Sequence, residues 1–178
     1  MKTIASLKPN ISCEAAARQF QCARLSAFWR GPLRSLALVY IPFRLFRVEI
    51  ANGDKRETRW LAQDMVSGTF DPYLFDAALA TNQLDQVATR NQLAASLSPQ
   101  TAQEMLRTKV CRSIFGRGFF RLRDFKIEVR PSDPEFYVPY WAGFRGSGSK
   151  AQLAVIDAVR GQLEGARVRR LLSDWLQQ

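Results

Sequence analysis

Tyr40-Ile41-Pro42-Phe43 returns as Tyr137-Val138-Pro139-Tyr140, 97 residues later, and each copy lies in a run that otherwise reads as a β-strand. Proline has no amide proton to give to a sheet ladder, so a strand that carries one is expected at an edge or at a bulge. A chain that accepts this restriction twice, in matching surroundings, calls for a search for further repeated segments. Downstream, Asp64-Met65-Val66-Ser67-Gly68 matches Asp157-Ala158-Val159-Arg160-Gly161. Upstream, Phe28-Trp29-Arg30-Gly31 matches Phe115-Gly116-Arg117-Gly118, and each closes a helical pattern that opens at Ser12 or Ser98. The order of the three motifs is the same in both halves.

The spacings turn these motifs into structure. Pro42 and Asp64 are 22 residues apart and centre on Asn52-Gly53-Asp54, while Pro139 and Asp157 are 18 apart and centre on Gly146-Ser147-Gly148-Ser149. Both centres are turn chemistry, so each copy reads as a β-hairpin with the proline about opposite the aspartate. The difference is two residues per strand, an even number that keeps every side chain on its face. In the first copy the apolar phase slips between Ile41-Phe43-Leu45 and Phe46-Val48-Ile50, as a bulge near Leu45 would require.

The helical signals are ordinary. Ser98 caps, Pro99 takes the first helical position, and Ala102, Leu106, Val110 and Ile114 form a stripe ended by Gly116 or Gly118. Ser12 caps a run with Ala16, Phe20, Ala23 and Ala27 on one face, ended at Gly31-Pro32. Leu122 to Arg130 reads as an extra strand in the second copy, Asp71-Pro72 starts a short helix or turn, and the terminal GARVRRLLSDWLQQ places Val168, Leu171, Leu172 and Trp175 on one helical face. The expected fold is therefore α+β: a tandem duplication of a helix plus an antiparallel hairpin, with a C-terminal amphipathic helix. The first repeat occupies residues 1–83 and the second 84–178, packed as one compact unit.

In the second hairpin the alternation assigns Val138, Tyr140, Phe144, Ile156 and Ala158 to one face and Tyr137, Pro139, Trp141, Val155 and Val159 to the other. Both faces are apolar, so the second is either covered or a binding surface.

Chemistry is constrained more by what the composition lacks. With no histidine in 178 residues, imidazole general bases, Ser-His-Asp arrangements and histidine metal ligands are all excluded. Cys13, Cys22 and Cys111 are odd in number and have no C-x-x-C spacing, which argues against a disulfide framework or a structural zinc. No metal or cofactor is expected. Asp64 and Asp157 suit a turn in which the carboxylate accepts backbone N–H groups and Gly68 or Gly161 takes a positive φ. Glu49, Asp54 and Glu57 are interleaved with Lys55 and Arg56 and read as a solvated hairpin tip. Neither an activating base nor a metal cluster accompanies the aspartates or Cys111, so the expectation is no catalytic residue and no enzyme.

The net charge of +10 comes from 26 Lys and Arg against 16 Asp and Glu, and it favours a protein partner with an acidic or apolar face, or nucleic acid. The candidate contact residues are Arg117, Arg121, Arg123, Tyr137, Trp141, Arg145, Arg167, Arg169 and Arg170; arginines interleaved with rings suit single-stranded RNA or DNA. The residues read as structural are Tyr40, Pro42, Asp64, Gly68, Tyr137, Pro139, Asp157 and Gly161. The opening MKTIASLKPN ends its apolar run at Lys8-Pro9, too soon for a secretory core, and no run approaches a membrane span, so a cytoplasmic protein is expected.

The segment from Ser98 to Gly165, closing on Asp157-Ala158-Val159-Arg160-Gly161, resembles the PepSY domain in outline, and the repeat carries the likeness to residues 12–71. PepSY units, and the similarly duplicated β-lactamase inhibitor proteins, are binding or inhibitory modules without catalytic residues. The resemblance thus implies an interaction role and, unlike the N-terminal sequence, an extracytoplasmic setting.

Overall fold

The structure is a computed structural model that describes residues 1–22, 32–116, 124–146 and 152–177. It is a mixed α+β protein. The strands are β1 (Lys2–Ser6), β2 (Leu33–Asn52), β3 (Lys55–Asp64), β4 (Tyr73–Phe75), β5 (Asp85–Thr89), β6 (Lys126–Arg145) and β7 (Gln152–Asp157). The helices among the described residues are α1 (Cys13–Cys22), α2 (Pro99–Gly116) and α3 (Ala166–Leu176), with a short 3-10 turn at Thr81–Gln83.

Two compact units divide the chain. Unit 1 comprises Met1–Ile41, Leu84–Leu93 and Tyr137–Gln178, and unit 2 comprises Pro42–Gln83 and Ala94–Phe136. The sequence boundary at 83/84 is thus one point where the chain passes from unit 2 to unit 1, but neither unit is a single stretch. In unit 1 the hydrogen-bonded order is β2-β6-β1-β5, with β7 also on β6; in unit 2 it is β4-β3-β2-β6. The β1–β5, β2–β3, β3–β4 and β6–β7 pairs are antiparallel, whereas Ser6↔Tyr137 in β1 and β6 and the Tyr40↔Gln92 bridge are parallel.

Neither α1 nor α2 packs chiefly on the hairpin that follows it in sequence, although α2 also meets Val129 at the start of β6. In unit 2, Ala102, Leu106 and Val110 of α2 are buried with Phe46, Val48, Ile50 and Met65 of the β2–β3 hairpin and its turn. In unit 1, Ala16 and Phe20 of α1 are buried with Ile156 of β7, flanked by Trp141 and Ala154. The expected helix-then-hairpin unit therefore does not pack as such. The reason is the lead-in to each helix. Asn10 and Ile11 both donate their N–H to the Ala158 carbonyl, at 2.8 and 3.1 Å, and Ser96 and Leu97 both donate to the Met65 carbonyl at 2.9 Å. These bonds hold each helix start to the turn after the hairpin it covers. The serine caps follow at once: Ser12 Oγ accepts from Ala15 N–H at 3.2 Å and Ser98 Oγ from Thr101 N–H at 3.1 Å.

The prolines are not at a sheet edge; both are buried in long strands with neighbours on each side. Pro139 sits where β6 changes partner. The Tyr137 carbonyl accepts from Leu7 N–H, just beyond β1, and the Pro139 carbonyl accepts from Ala158 N–H, just beyond β7. In a strand the groups of residues i and i+2 face the same side, so an amide here would point between the ends of two partner strands. Proline supplies the carbonyl the junction needs and no donor to strand there. Pro42 repeats the geometry: the Tyr40 carbonyl accepts from Leu93 N–H and the Pro42 carbonyl from Met65 N–H.

Other differences from the sequence expectation are local. The β2–β3 register runs unbroken from Phe43↔Asp64 to Asn52↔Lys55, so no bulge at Leu45 interrupts it; residues Val39–Phe43, Leu45 and Phe46 are buried on both faces, and that is why the alternation fades. Tyr140, not Pro139, lies opposite Asp157. That one-residue shift reverses the faces of β7: Ile156 shares the side of Trp141 under α1, and Val155 shares the side of Ala142. The extra strand expected at 122–130 is the first part of the 20-residue β6, and Asp71-Pro72 leads into β4 rather than a helix.

Gly68 and Gly161 adopt φ of 64° and 71° in the turns after the two hairpins. A Cβ at Gly68 would lie 2.5 Å from Met105 Sδ, and one at Gly161 would lie 2.9 Å from Ile11 Cδ1. Gly68→Ala and Gly161→Ala should each lower stability by about 1–2 kcal/mol in urea denaturation, with Gly68→Ala the larger because of the closer contact.

Candidate interaction site

The two aspartates are fully buried and consumed by their turns. Asp64 Oδ1 accepts from the N–H groups of Ser67 and Gly68 at 2.7 and 2.8 Å, and Oδ2 accepts from Phe70 N–H at 3.0 Å. Asp157 Oδ1 accepts from Val159 and Arg160 N–H, both at 2.8 Å, and Gly161 N–H reaches the Asp157 carbonyl at 2.8 Å. Backbone donors thus occupy both oxygens of Asp64 and Oδ1 of Asp157, the work of holding a turn.

Unit 2 adds a polar brace that the sequence did not signal. Lys109 Nζ, on α2, donates to Gln63 Oε1 at 2.9 Å and to the Phe70 carbonyl, while Gln63 Nε2 donates to Asp64 Oδ2 at 2.9 Å. Lys109 falls one position off the apolar stripe beside Val110, and Gln63 is a lone polar residue in a strand; neither pattern is distinctive. At the register position matching Gln63, one before the aspartate, unit 1 carries Ile156.

The residues proposed for contact separate clearly. Arg117, Arg121 and Arg123 lie outside the described residues, as do Phe28 to Gly31. Trp141 is half-buried against α1, and its indole N–H donates to the Ile11 carbonyl at 2.9 Å. Tyr137 is half-buried beside Leu7. Arg145 is buried at 5% exposure, with its Nε lacking a hydrogen-bond partner among the described residues. Arg167 and Arg170 are exposed on α3 and Arg169 is half-exposed. Tyr40 is buried, and burial together with the nearby Asp85 carboxylate pushes its phenol above the usual tyrosine range.

Charge is divided unevenly. Unit 1 carries 13 Lys and Arg against 5 Asp and Glu, and one of those acids is the buried Asp157; unit 2 carries 13 against 11. The exposed strands of unit 2 neutralise themselves through the pairs Arg47–Glu49, Arg59–Glu57 and Arg130–Glu128, and Arg44 bridges Asp133 and Glu135. On α3 of unit 1, Arg170 reaches Asp174 only at 3.9 Å. A groove of about 450 Å³ runs between α3 and β7, lined by Gln152, Leu153, Ala166, Arg169, Arg170 and Ser173. Among the described residues, no group of three or more Cys, Asp and Glu could hold a metal, and no helix is long and apolar enough to cross a membrane.

Asp64→Ala would leave the Ser67, Gly68 and Phe70 N–H groups without their acceptor, and Asp157→Ala at least those of Val159 and Arg160. Asp64→Ala should therefore cost about 3 kcal/mol or more and Asp157→Ala about 2 kcal/mol, read from urea midpoints at neutral pH.

No protein-family model, no curated protein and no solved structure matches this chain.

Proposed function

We propose that the protein is a non-catalytic interaction module built from two PepSY-like repeats with exchanged helices, and that its basic unit 1 meets an acidic face of a partner protein. The duplication is supported bond by bond. Phe43↔Asp64 and Tyr140↔Asp157 are matching registers, and the Pro42 and Pro139 carbonyls accept from the residue after each aspartate. Gly68 and Gly161 share a positive φ. The lead-ins Leu7 to Ser12 and Leu93 to Ser98 share Leu-x-x-x-[Ile/Leu]-Ser, and they bond to equivalent carbonyls.

The observation that carries the functional reading is the charge division. An excess of eight positive charges on unit 1, with two on unit 2, gives one unit a field that attracts anionic surfaces and leaves the other nearly neutral. Single-stranded nucleic acid would answer the same field, but its recognition also needs rings free to stack on bases. Trp141 is engaged with α1 and the Ile11 carbonyl, and Tyr137 is half-buried, which favours the protein partner.

Immobilised protein should retain a defined protein from nuclease-treated extract of its native cell, and poly-glutamate but not poly-lysine should displace it. Complete loss of retention on nuclease treatment, together with saturable binding of single-stranded oligonucleotides whose affinity falls steeply with salt, would replace this reading with the nucleic-acid one.

A further inference from the structure

The outer edge of β7 is occupied over only part of its length. After the turn at Gly161 the chain doubles back along it: Asp157 N–H donates to the Gln162 carbonyl at 2.9 Å, Glu164 N–H donates to the Val155 carbonyl at 2.8 Å, and Ile156 bridges Leu163. The chain then leaves into α3. Backbone groups alternate sides along a strand, so Leu153 faces the same way as Val155 and Asp157, and among the described residues its N–H and C=O meet no partner on the edge beyond residues 162–164. Leu153 also lines the groove against α3.

The other wall of that groove is cationic and polar. Ala166, Arg169, Arg170 and Ser173 follow helical spacing along one side of α3, and Gln152 adds an amide at the mouth. The Arg169 guanidinium has no ion-pair or hydrogen-bond partner among the described residues, and Arg170 has Asp174 only at 3.9 Å. An open backbone pair beside two arginines matches a chain that presents its own backbone and carboxylates together.

We infer that this groove takes an extended acidic segment of a partner protein, which pairs with Leu153 as a short added strand while its carboxylates meet Arg169 and Arg170. The inference rests on the interaction reading above and names its site. Main-chain pairing supplies the register and the arginines select the charge, a division of labour common to strand-addition binding. The net positive charge of unit 1 disfavours a second copy of the same unit as occupant.

The probe is a fluorescein-labelled octapeptide of alternating glutamate and valine, with an alternating lysine and valine peptide and an oligothymidylate of similar length as comparisons. The full chain should bind the glutamate peptide in saturable fashion at low salt, and amide exchange at Leu153 should slow on binding. Combined Arg169→Glu and Arg170→Glu should weaken binding about tenfold or more, while the same charge change at exposed Lys8 and Arg34 of unit 1 should weaken it no more than about threefold. Equal loss from both pairs of substitutions, an unchanged Leu153 amide at saturation, or equal binding of the lysine peptide would overturn the assignment. So would tighter binding of oligothymidylate with the same Leu153 protection. If the glutamate peptide binds but the groove substitutions do nothing, the acidic-partner reading stands and the groove falls. If neither the peptide nor any protein from nuclease-treated extract binds, both fall.

Discussion

A buried carboxylate must be given donors, and in this protein the backbone gives them. Asp64 and Asp157 each gather the N–H groups of the turn that follows, which forces the chain to reverse just past a hairpin. The reversal leaves the carbonyl of the next residue, Met65 or Ala158, pointing outward to receive two amides from a helix lead-in. Helix placement, the partner change at each proline and the burial of each apolar stripe all follow from those few bonds. Their strength lies in exclusion of water, since a buried donor left unmatched costs more than a matched one gains.

Local features were legible in the sequence wherever the physics is local. Ser98 with Pro99, the stripe Ala102–Leu106–Val110, the Gly53 turn and the terminal helix are all where spacing and capping put them. The aspartate turns were also readable, because a short acid followed by glycine has few other uses. What periodicity could not reveal is which hairpin each helix covers. That choice rests on hydrogen bonds such as Ile11 to Ala158, between residues that no sequence window holds together. The Leu-x-x-x-[Ile/Leu]-Ser lead-ins were a visible clue to it that spacing arguments centred on proline passed over. β1 and β5 were missed for a different reason: Lys2–Ser6 and Asp85–Thr89 are short and only partly apolar, and they form by pairing with each other.

The two β7 faces show how thin the margin is. A one-residue error in the proline–aspartate pairing was enough to exchange Val155 and Ile156 between sides. The functional residues fared similarly. Arginines on α3 could be named from composition and helical spacing, whereas the groove they line depends on where residues 162–164 leave β7, which is a property of the turn and not of any motif. The residue before each buried aspartate is held by different means, Gln63 by Lys109 in unit 2 and Ile156 by apolar packing under α1 in unit 1.

Because β2 leaves unit 1 at Ile41 and β6 re-enters it at Tyr137, the order in which ribosomes deliver the chain sets the order of assembly. Every piece of unit 2 has been synthesised once Phe136 is made, yet α1, which precedes all of them, must wait for β7, which follows them. Until then the apolar side of α1 has no hairpin to cover. A ten-residue segment is a marginal helix without a surface to pack on, so α1 gains its stability only when β7 has joined the sheet.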